Sequence, residues 1–530
     1  MQPTFKELQP TYEPQQVEKR IYKSWLDGEF FTATIDEDKQ PFVIIQPPPN
    51  VTGELHLGHA QRATIEDMLT RWHRMKGDPT LWLPGLDHAG IATQVVVERE
   101  LMKEGLTRHD LGREKFLARI WEWVDTYRTR IGEQHQRLGA SCDWSREKFT
   151  LDQGPSKAVR FTFVSLYKKG LIYRGERIIN WCPRCETALS DLEVEHKEIE
   201  GKLYYIKYEL EDQSGSITVA TTRPETIPGD TALAINPDDS RYKSFIGKEV
   251  SIPTLSRNIP IITDHAVDKT FGTGALKITP GHDPTDFEIG VRHNLTVVTA
   301  INFNGTMTEA AGIYSGLDRT VCREKILNDL DKEGFLIKTE KYTHTVGHCQ
   351  RCSQVVEPLV SKQWFMQMEP LAQRALRAVE TGAIRIVPEH FNRVYTNWLL
   401  NIRDWCFSRQ LWWGHRIPVW YCPDCDAQIV EEEEPTQCNS CGSAGIYQDP
   451  DVLDTWFSSG LWPLSTLGWP ENTKDFSYFF PTTVMETGHD ILFFWVARMI
   501  MLSLENVDEV PFRTIYLSGL IRDPQGIKMS

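Results

Sequence analysis

The sequence predicts an α/β fold interrupted by a mostly β insertion and carrying small cysteine-knuckle modules. Three observations predict it. Before residue 190 a short apolar strand, a loop and a helical pattern follow one another; from about 200 to 300 the texture changes to short β-type runs; and eight of the eleven cysteines fall into four C-x-x-C pairs. The 530 residues, at roughly 100–200 per domain, imply about three or four domains and a core that needs no covalent staples.

The first strand is Phe42-Val43-Ile44-Ile45, an unbroken apolar run stopped by Pro47-Pro48-Pro49. From Gly58 to about Met75, the residues Ala60, Ile65, Met68, Leu69 and Trp72 recur on one helix face. Strand, loop and helix in that order open a Rossmann-type nucleotide-binding unit, which takes in residues 1–190. Leu203–Tyr208, Ser216–Ala220, Val250–Ile252, Ile259–Ile262 and Ala275–Ile278 are separated by Gly, Pro and Asp turns, so residues 191–345 read as a compact, mostly β insertion. Residues 346–414 lead back into the α/β unit, 415–447 carry a cysteine ribbon, and 448–530 form the second half of the unit. The apolar run from Ile491 to Leu504 is preceded by Asp490 and interrupted by Arg498; a membrane span needs about 20 apolar residues, so a buried helix is expected.

With 73 acidic against 58 basic side chains the formal net charge is −15, which speaks to solubility and leaves room for a basic groove on an acidic body. The N-terminal MQPTFKELQP lacks the charged-then-apolar pattern of a signal peptide. A cytoplasmic protein is expected, and its cysteines are not read as disulfides. Cys422, Cys425, Cys438 and Cys441 have the spacing of a self-contained zinc ribbon. Cys182 and Cys185 lie before the insertion, Cys349 and Cys352 after it. Redox pairs or unligated thiols remain open there, but a second structural zinc joining the two ends of the insertion is the more economical expectation.

The most informative segment is Pro47-Pro48-Pro49-Asn50-Val51-Thr52-Gly53-Glu54-Leu55-His56-Leu57-Gly58-His59. Two histidines at i and i+3 share the face of a helix N-terminus, where backbone donors favour phosphate and imidazoles can donate as charge develops. A lone HxxH is equally a surface pair or half a metal site. This one resembles the HIGH motif of the class I aminoacyl-tRNA synthetases, and Gly526-Ile527-Lys528-Met529-Ser530 resembles the start of their KMSKS loop. The P-P-P-N-V-T-G lead-in looks like the valine-specific branch of that class. Gly85–Gln94, Ser408–His415, Asp454–Ser459 and Gly488–Trp495 resemble further motifs of the same branch, in the same order and nearly end to end.

The resemblance implies a valine–tRNA ligase that uses ATP with Mg2+ and takes tRNA(Val) as partner, a monomer without membrane attachment. His56, His59 and Lys528 would contact the ATP phosphates as valine attacks the α-phosphorus, while Gly488 and Asp490 would hold adenine and ribose. Asp87 would pair with the ammonium of valine. Pro47, Pro48, Asn50, Trp456 and Ile491 would shape a small apolar pocket; from the residues alone, Trp456 and Ile491 are plain core packing. An apolar pocket rejects an added hydroxyl weakly, and the discrimination of threonine by valine enzymes is the standing example of that limit. A second, hydrolytic editing site is therefore implied in the insertion, where Thr221–Thr226 and Gly272–Asp286 resemble the editing motifs of the valine, isoleucine and leucine enzymes. Asp286 would bind the ammonium of a mischarged amino acid. Thr222, Arg223, Thr226, Lys277, Thr279 and Asp283 would hold the threonine hydroxyl and the tRNA end and orient water. The departure from the pattern lies at the end: the sequence stops at Ser530, inside the loop motif, before its second lysine and without an anticodon-binding domain or coiled coil, and is read as a fragment. An isoleucine-specific enzyme, or a zinc-ribbon nucleic-acid-binding module without ligase activity, are the alternatives.

Overall fold

The computed structural model describes residues 11–526 together with Lys528 and Met529. The chain divides into two compact units. One comprises the chain up to Ile172, Met366–Trp405 and the chain from Leu411 onward; the other comprises Tyr173–Phe365 and Cys406–Gln410.

In the first unit, strand β1 (Phe42–Ile45) is buried along its whole length, as its unbroken apolar run requires. Helix α1 (Leu57–Lys76) follows and closes on Gly77 in the left-handed conformation (φ 82°), with His73, Arg74 and Lys76 in its last turn. Strand β2 (Thr80–Leu83) returns parallel to β1, with Phe42 beside Thr80 and Ile45 beside Leu83. Helix α2 (Arg113–Leu138) buries Phe116, Ile120, Val124 and Ile131 on one stripe.

The second unit has its own core. Strand β3 (Val194–Glu209) pairs antiparallel with β4 (Ser216–Thr221). A four-stranded sheet is built from β5 (Ala232–Ile235), β6 (Glu249–Ser251), β7 (Asn258–Thr263) and β8 (Ala275–Ile278), in the order β6-β7-β5-β8. Helix α3 (Pro284–Arg292) and helix α4 (Arg319–Lys332) follow, and β9 (Leu336–Cys349) runs back along β3 in a long antiparallel ribbon. Ile206, Tyr208, Val219, Leu233, Ile235, Ile261 and Ile326 meet in its interior. Strand β10 (Glu357–Met366) leads out of this unit.

Back in the first unit, β11 (Arg385–Val387), β12 (Thr482–Gly488) and β13 (Phe512–Ser518) complete a five-stranded sheet of order β11-β13-β12-β1-β2, every pair parallel. The elements closest to the sheet's C-terminal edge are thus the turn after β1 and the turn after β12, which is where a parallel sheet presents ligand-binding loops. The Ile491–Leu504 run is buried helix as expected, with one difference: Leu492–Val496 form a widened π-type turn before the α-helix Ala497–Val507 begins. The Trp495 indole N–H, bonded to the Ser459 carbonyl at 2.8 Å, holds that turn. Among the described residues no helix is long and apolar enough to cross a membrane.

Candidate active site and metal centres

The turn between β1 and α1 is built by its histidines. His56 is the N-cap of α1, in extended conformation (φ −115°, ψ 175°). Its Nδ1 accepts the Gly58 N–H at 3.1 Å, and the Nδ1 of His59 accepts the His56 N–H at 3.2 Å. The two rings lie 4.0 Å apart. Both Nδ1 atoms are therefore acceptors, which leaves the proton of each neutral ring on Nε2 as a donor free to meet a ligand. Burial, Arg62 and His56 push His59 down to about 3, and burial with the Lys528 and Arg62 cations also lowers His56. At neutral pH this is a pair of neutral N–H donors. Gly58 has a local reason to be glycine: a Cβ there would stand 2.9 Å from Cε1 of His56.

At the end of β12, Gly488 leaves room for its neighbour, since a Cβ would meet Asp490 Oδ1 at 2.5 Å. Lys528 donates to Asp490 Oδ2 at 2.5 Å. The structure thus brings Gly488, Asp490 and Lys528 together, with the lysine's field reaching His56 and His59.

Asp87 is almost fully buried. Its Oδ1 accepts the Ala89 N–H at 2.6 Å and the Thr455 hydroxyl at 2.8 Å, and its Oδ2 accepts the Ser459 hydroxyl. Burial raises its pKa, and no lysine or arginine pairs with it among the described residues. A buried carboxylate held by three donors and no cation is an incomplete ion pair, suited to an ammonium group. Its backbone pairs with the Pro49–Val51 stretch, so exposed Asn50 lies alongside. Pro47 is buried and Pro48 half-buried. Half-buried Trp456 follows Thr455 and packs on Phe494 (5.4 Å), in the same turn that Ile491 leads into. The Trp456 Nε1 has no hydrogen-bond partner among the described residues. Thr455 and Ser459, which complete the carboxylate cradle, were not singled out from the sequence; only their place in the quoted Asp454–Ser459 motif pointed to them.

In the second unit a separate polar cluster is buried. The Lys277 ammonium donates to Thr226 (2.8 Å), Thr279 (2.6 Å) and Asp230 Oδ1 (3.1 Å). Thr279 donates to Asp230 Oδ1 at 2.6 Å and Tyr208 to Oδ2 at 2.6 Å. Asp230 is the hub, and sequence reasoning missed it; the signal was a lone acid between Gly229 and the apolar strand β5. Asp283 and Asp286 play different parts. Asp283 caps α3, accepting the Thr285 and Asp286 N–H groups at 2.8 and 3.0 Å. Asp286 accepts the Thr279 N–H at 2.9 Å, and burial, reinforced by Asp283, pushes it up to about 7. Thr222 is half-buried at the preceding bend. Arg223 reaches away from Lys277: it donates to Glu225 (3.1 Å), to Glu357 and to the His282 carbonyl (3.2 Å), while Arg319 and Arg323 brace the same two glutamates.

The eight paired cysteines gather as two sets, Cys182 with Cys185, Cys349 and Cys352, and Cys422 with Cys425, Cys438 and Cys441, each with its sulfurs within 4.8 Å of one another. Sγ–Sγ separations of 3.4 Å (Cys182–Cys352), 3.5 Å (Cys422–Cys441) and 3.6 Å (Cys425–Cys438) are far too long for disulfides. They are close to the ~3.8 Å edge of a sulfur tetrahedron around a zinc with ~2.3 Å bonds. Backbone N–H groups of Cys185 and Ser440 donate to the first sulfur of their knuckles at 3.4 Å, which favours thiolate. Four soft donors in a closed set fit a structural metal.

The family model of tRNA synthetases class I (I, L, M and V) matches residues 20–530. The valine–tRNA ligase of Dehalococcoides mccartyi strain CBDB1 is 63% identical over 524 residues, 99% of this chain and 59% of that protein. Those of Carboxydothermus hydrogenoformans and Thermotoga maritima are 59% and 55% identical, each with 99% of this chain and 60% of the relative covered. The chain therefore spans about three-fifths of the length of these relatives. The Agrobacterium radiobacter K84 agnB2 LeuRS–tRNA–LeuAMS ternary complex shares the fold, with a TM-score of 0.53, 18% identity, 98% of this chain and 69% of that one covered. The signature histidines after β1, the parallel sheet and the match over nearly the whole chain lead to one conclusion: this chain belongs to the class I tRNA synthetases that group the I, L, M and V enzymes.

Proposed function

We propose that this chain is the synthetic and editing part of a valine–tRNA ligase. The observation that carries the synthetic half is the pair of neutral Nε2–H donors at the N-terminus of α1, with Lys528 and Asp490 at the same edge of a five-stranded parallel sheet. There the His56 and His59 imidazoles and the Lys528 ammonium hold the ATP phosphates, Gly488 and Asp490 hold the nucleoside, and Asp87 holds the valine ammonium. The valine carboxylate attacks the α-phosphorus, pyrophosphate leaves, and the donors stabilise the charge that builds on the phosphoryl oxygens. Mg2+ arriving with ATP neutralises phosphate charge. Pro47, Pro48, Asn50, Trp456 and Ile491 bound the side-chain pocket. Transfer to tRNA(Val) completes the reaction in a monomeric, cytoplasmic enzyme.

The insertion is proposed to edit Thr-tRNA(Val). Asp286 binds the ammonium, and Thr222, Thr226, Lys277 and Thr279 supply the hydrogen bonds that a threonine hydroxyl satisfies and a valine methyl does not. Arg223 and Asp283 support that wall through Glu357 and through the α3 cap. Both cysteine sets are proposed to hold structural zinc.

Amino-acid-dependent ATP–pyrophosphate exchange tests the synthetic half. Exchange with valine at least ten times faster than with isoleucine is expected; equal rates, or exchange unaffected by His59→Ala, would sink the assignment.

A further inference from the structure

Beneath the His56–His59 turn the fold builds a second polar layer. Ile44 of β1 is the register partner of Val484 of β12, and both pack with Ala63 of α1. Strand alternation puts Gln46 and Glu486, two residues on, toward the same face. On α1, His59, Arg62 and Glu66 follow at i, i+3 and i+7 on one stripe. Glu66 and Glu486 are both fully buried (0% exposed). One oxygen of Glu66 accepts the Trp82 indole N–H at 3.0 Å. Among the described residues its other oxygen, both oxygens of Glu486, and Nε and Nη2 of Arg62 are buried without a hydrogen-bond partner at bonding geometry, the Ser518 side chain drawing the Glu486 carboxyl down as a polar neighbour would. Unpartnered acceptors and unpartnered donors share one buried layer, and each would be costly alone. Also facing it are Asp67 on α1, the buried Cys142 thiol, His135 of α2 (whose Nε2 meets the Gln46 amide at 2.8 Å) and Ser518 on β13.

We propose that Arg62, one turn before Glu66 on the stripe of α1 that faces the buried Glu486 carboxyl, is the positioning residue of the His56–His59 turn. Its charge holds the two carboxyls in place across the α1–β12 junction, and the junction sets the pitch at which α1 presents its N-terminal donors. Burial raises both carboxyls while Arg62 draws them down, so the cation and the two carboxyl groups bear on one another's charge. Removing one charged member leaves the others buried and uncompensated, whereas exchanging all three for neutral residues of similar volume, with an amide kept at position 66 to accept the Trp82 indole N–H, leaves no charge to compensate. The inference rests on the reading that this turn binds ATP phosphates, and the test separates the two.

Histidine-selective 15N–1H correlation spectra on the 530-residue chain report the tautomers of His56 and His59 without a ligand. Binding of valyl-sulfamoyl-adenosine reports the site. Arg62→Met is expected to lose the Nδ1-acceptor, Nε2–H pattern and to weaken analogue binding about tenfold or more. The triple variant Arg62→Met/Glu66→Gln/Glu486→Leu, which keeps an acceptor for the Trp82 indole N–H, is expected to restore both to near wild type. Unchanged histidine signals in Arg62→Met, or a triple variant as damaged as the single one, would overturn the proposal. If Arg62→Met does not fold, thermal unfolding of the triple variant decides: a folded triple supports the layer and an unfolded one refutes it. A wild-type chain that fails to bind the analogue counts against the ATP reading alone, because the histidine spectra still judge the layer.

Discussion

Two buried carboxylates, Asp87 and Asp286, show how environment assigns different work to one side chain. Asp87 has three donors and no cation. Asp87→Asn keeps the shape and removes the charge, so the KM for valine in exchange should rise about 30- to 100-fold, from roughly 2–3 kcal/mol of lost charge-assisted binding. Because burial raises the Asp87 pKa, its ionised form opposes folding, and the same variant should melt no lower than wild type. Asp286 sits at about 7. Its ionised fraction rises from about one-tenth at pH 6 to about nine-tenths at pH 8, and kcat/KM for Thr-tRNA deacylation should rise roughly tenfold over that range. Asp286→Ala should abolish deacylation; an undiminished rate would remove the assignment. The linkage runs the other way for stability: a carboxyl raised in the folded state costs nothing below its ordinary pKa and costs more as pH climbs toward 7. The family resemblance gave Asp283 and Asp286 separate roles, but it did not foresee that the start of α3 makes Asp283 a cap and leaves Asp286 facing Thr279.

At the scale of elements, the short modules are where chemistry replaces bulk. The ribbon has a core of little more than Trp420, Cys422, Ile429 and Cys438, far too small to stand on hydrophobic burial. Cys438→Ser should therefore lower bound zinc by about one equivalent and remove amide-exchange protection from Val419–Tyr421 and Gln428–Val430, with α1 and its sheet unaffected. Full protection after zinc loss would show that the strands hold themselves. The strand and helix around the signature turn were legible because their patterns are local: four apolar residues, then a face repeating every three or four positions. The π-type turn at Leu492–Val496 was not, and the partner of its Trp495 indole N–H, the Ser459 carbonyl, lies on a distant segment.

For the molecule as a whole, length and charge took on narrower meanings. The 530 residues cover about three-fifths of the relatives' length, and the charge of −15 leaves any tRNA contact to local basic surface. Each unit has its own apolar core, so calorimetry should resolve two unfolding transitions. Cys349→Ser should lower one of them by several degrees and leave the other within about 1 °C. A single transition that shifts as one would contradict independent cores.

By itself the sequence determined what depends on neighbours in the chain: the first strand, the capped helix after it, the β runs of the insertion and the knuckle within each cysteine pair. Backbone sterics, apolar period and ligand chemistry act over a few residues, so they can be read in order. The tertiary structure alone decided which distant groups complete one another. It made Asp230 the hub under Lys277, gave Asp87 its Thr455 and Ser459 donors, and buried Glu66 and Glu486 where the Arg62 charge reaches both, while the joining of Cys182 and Cys185 to Cys349 and Cys352 was already expected from the sequence. Burial cost and hydrogen-bond completion are properties of space, and the chain order carries no record of them.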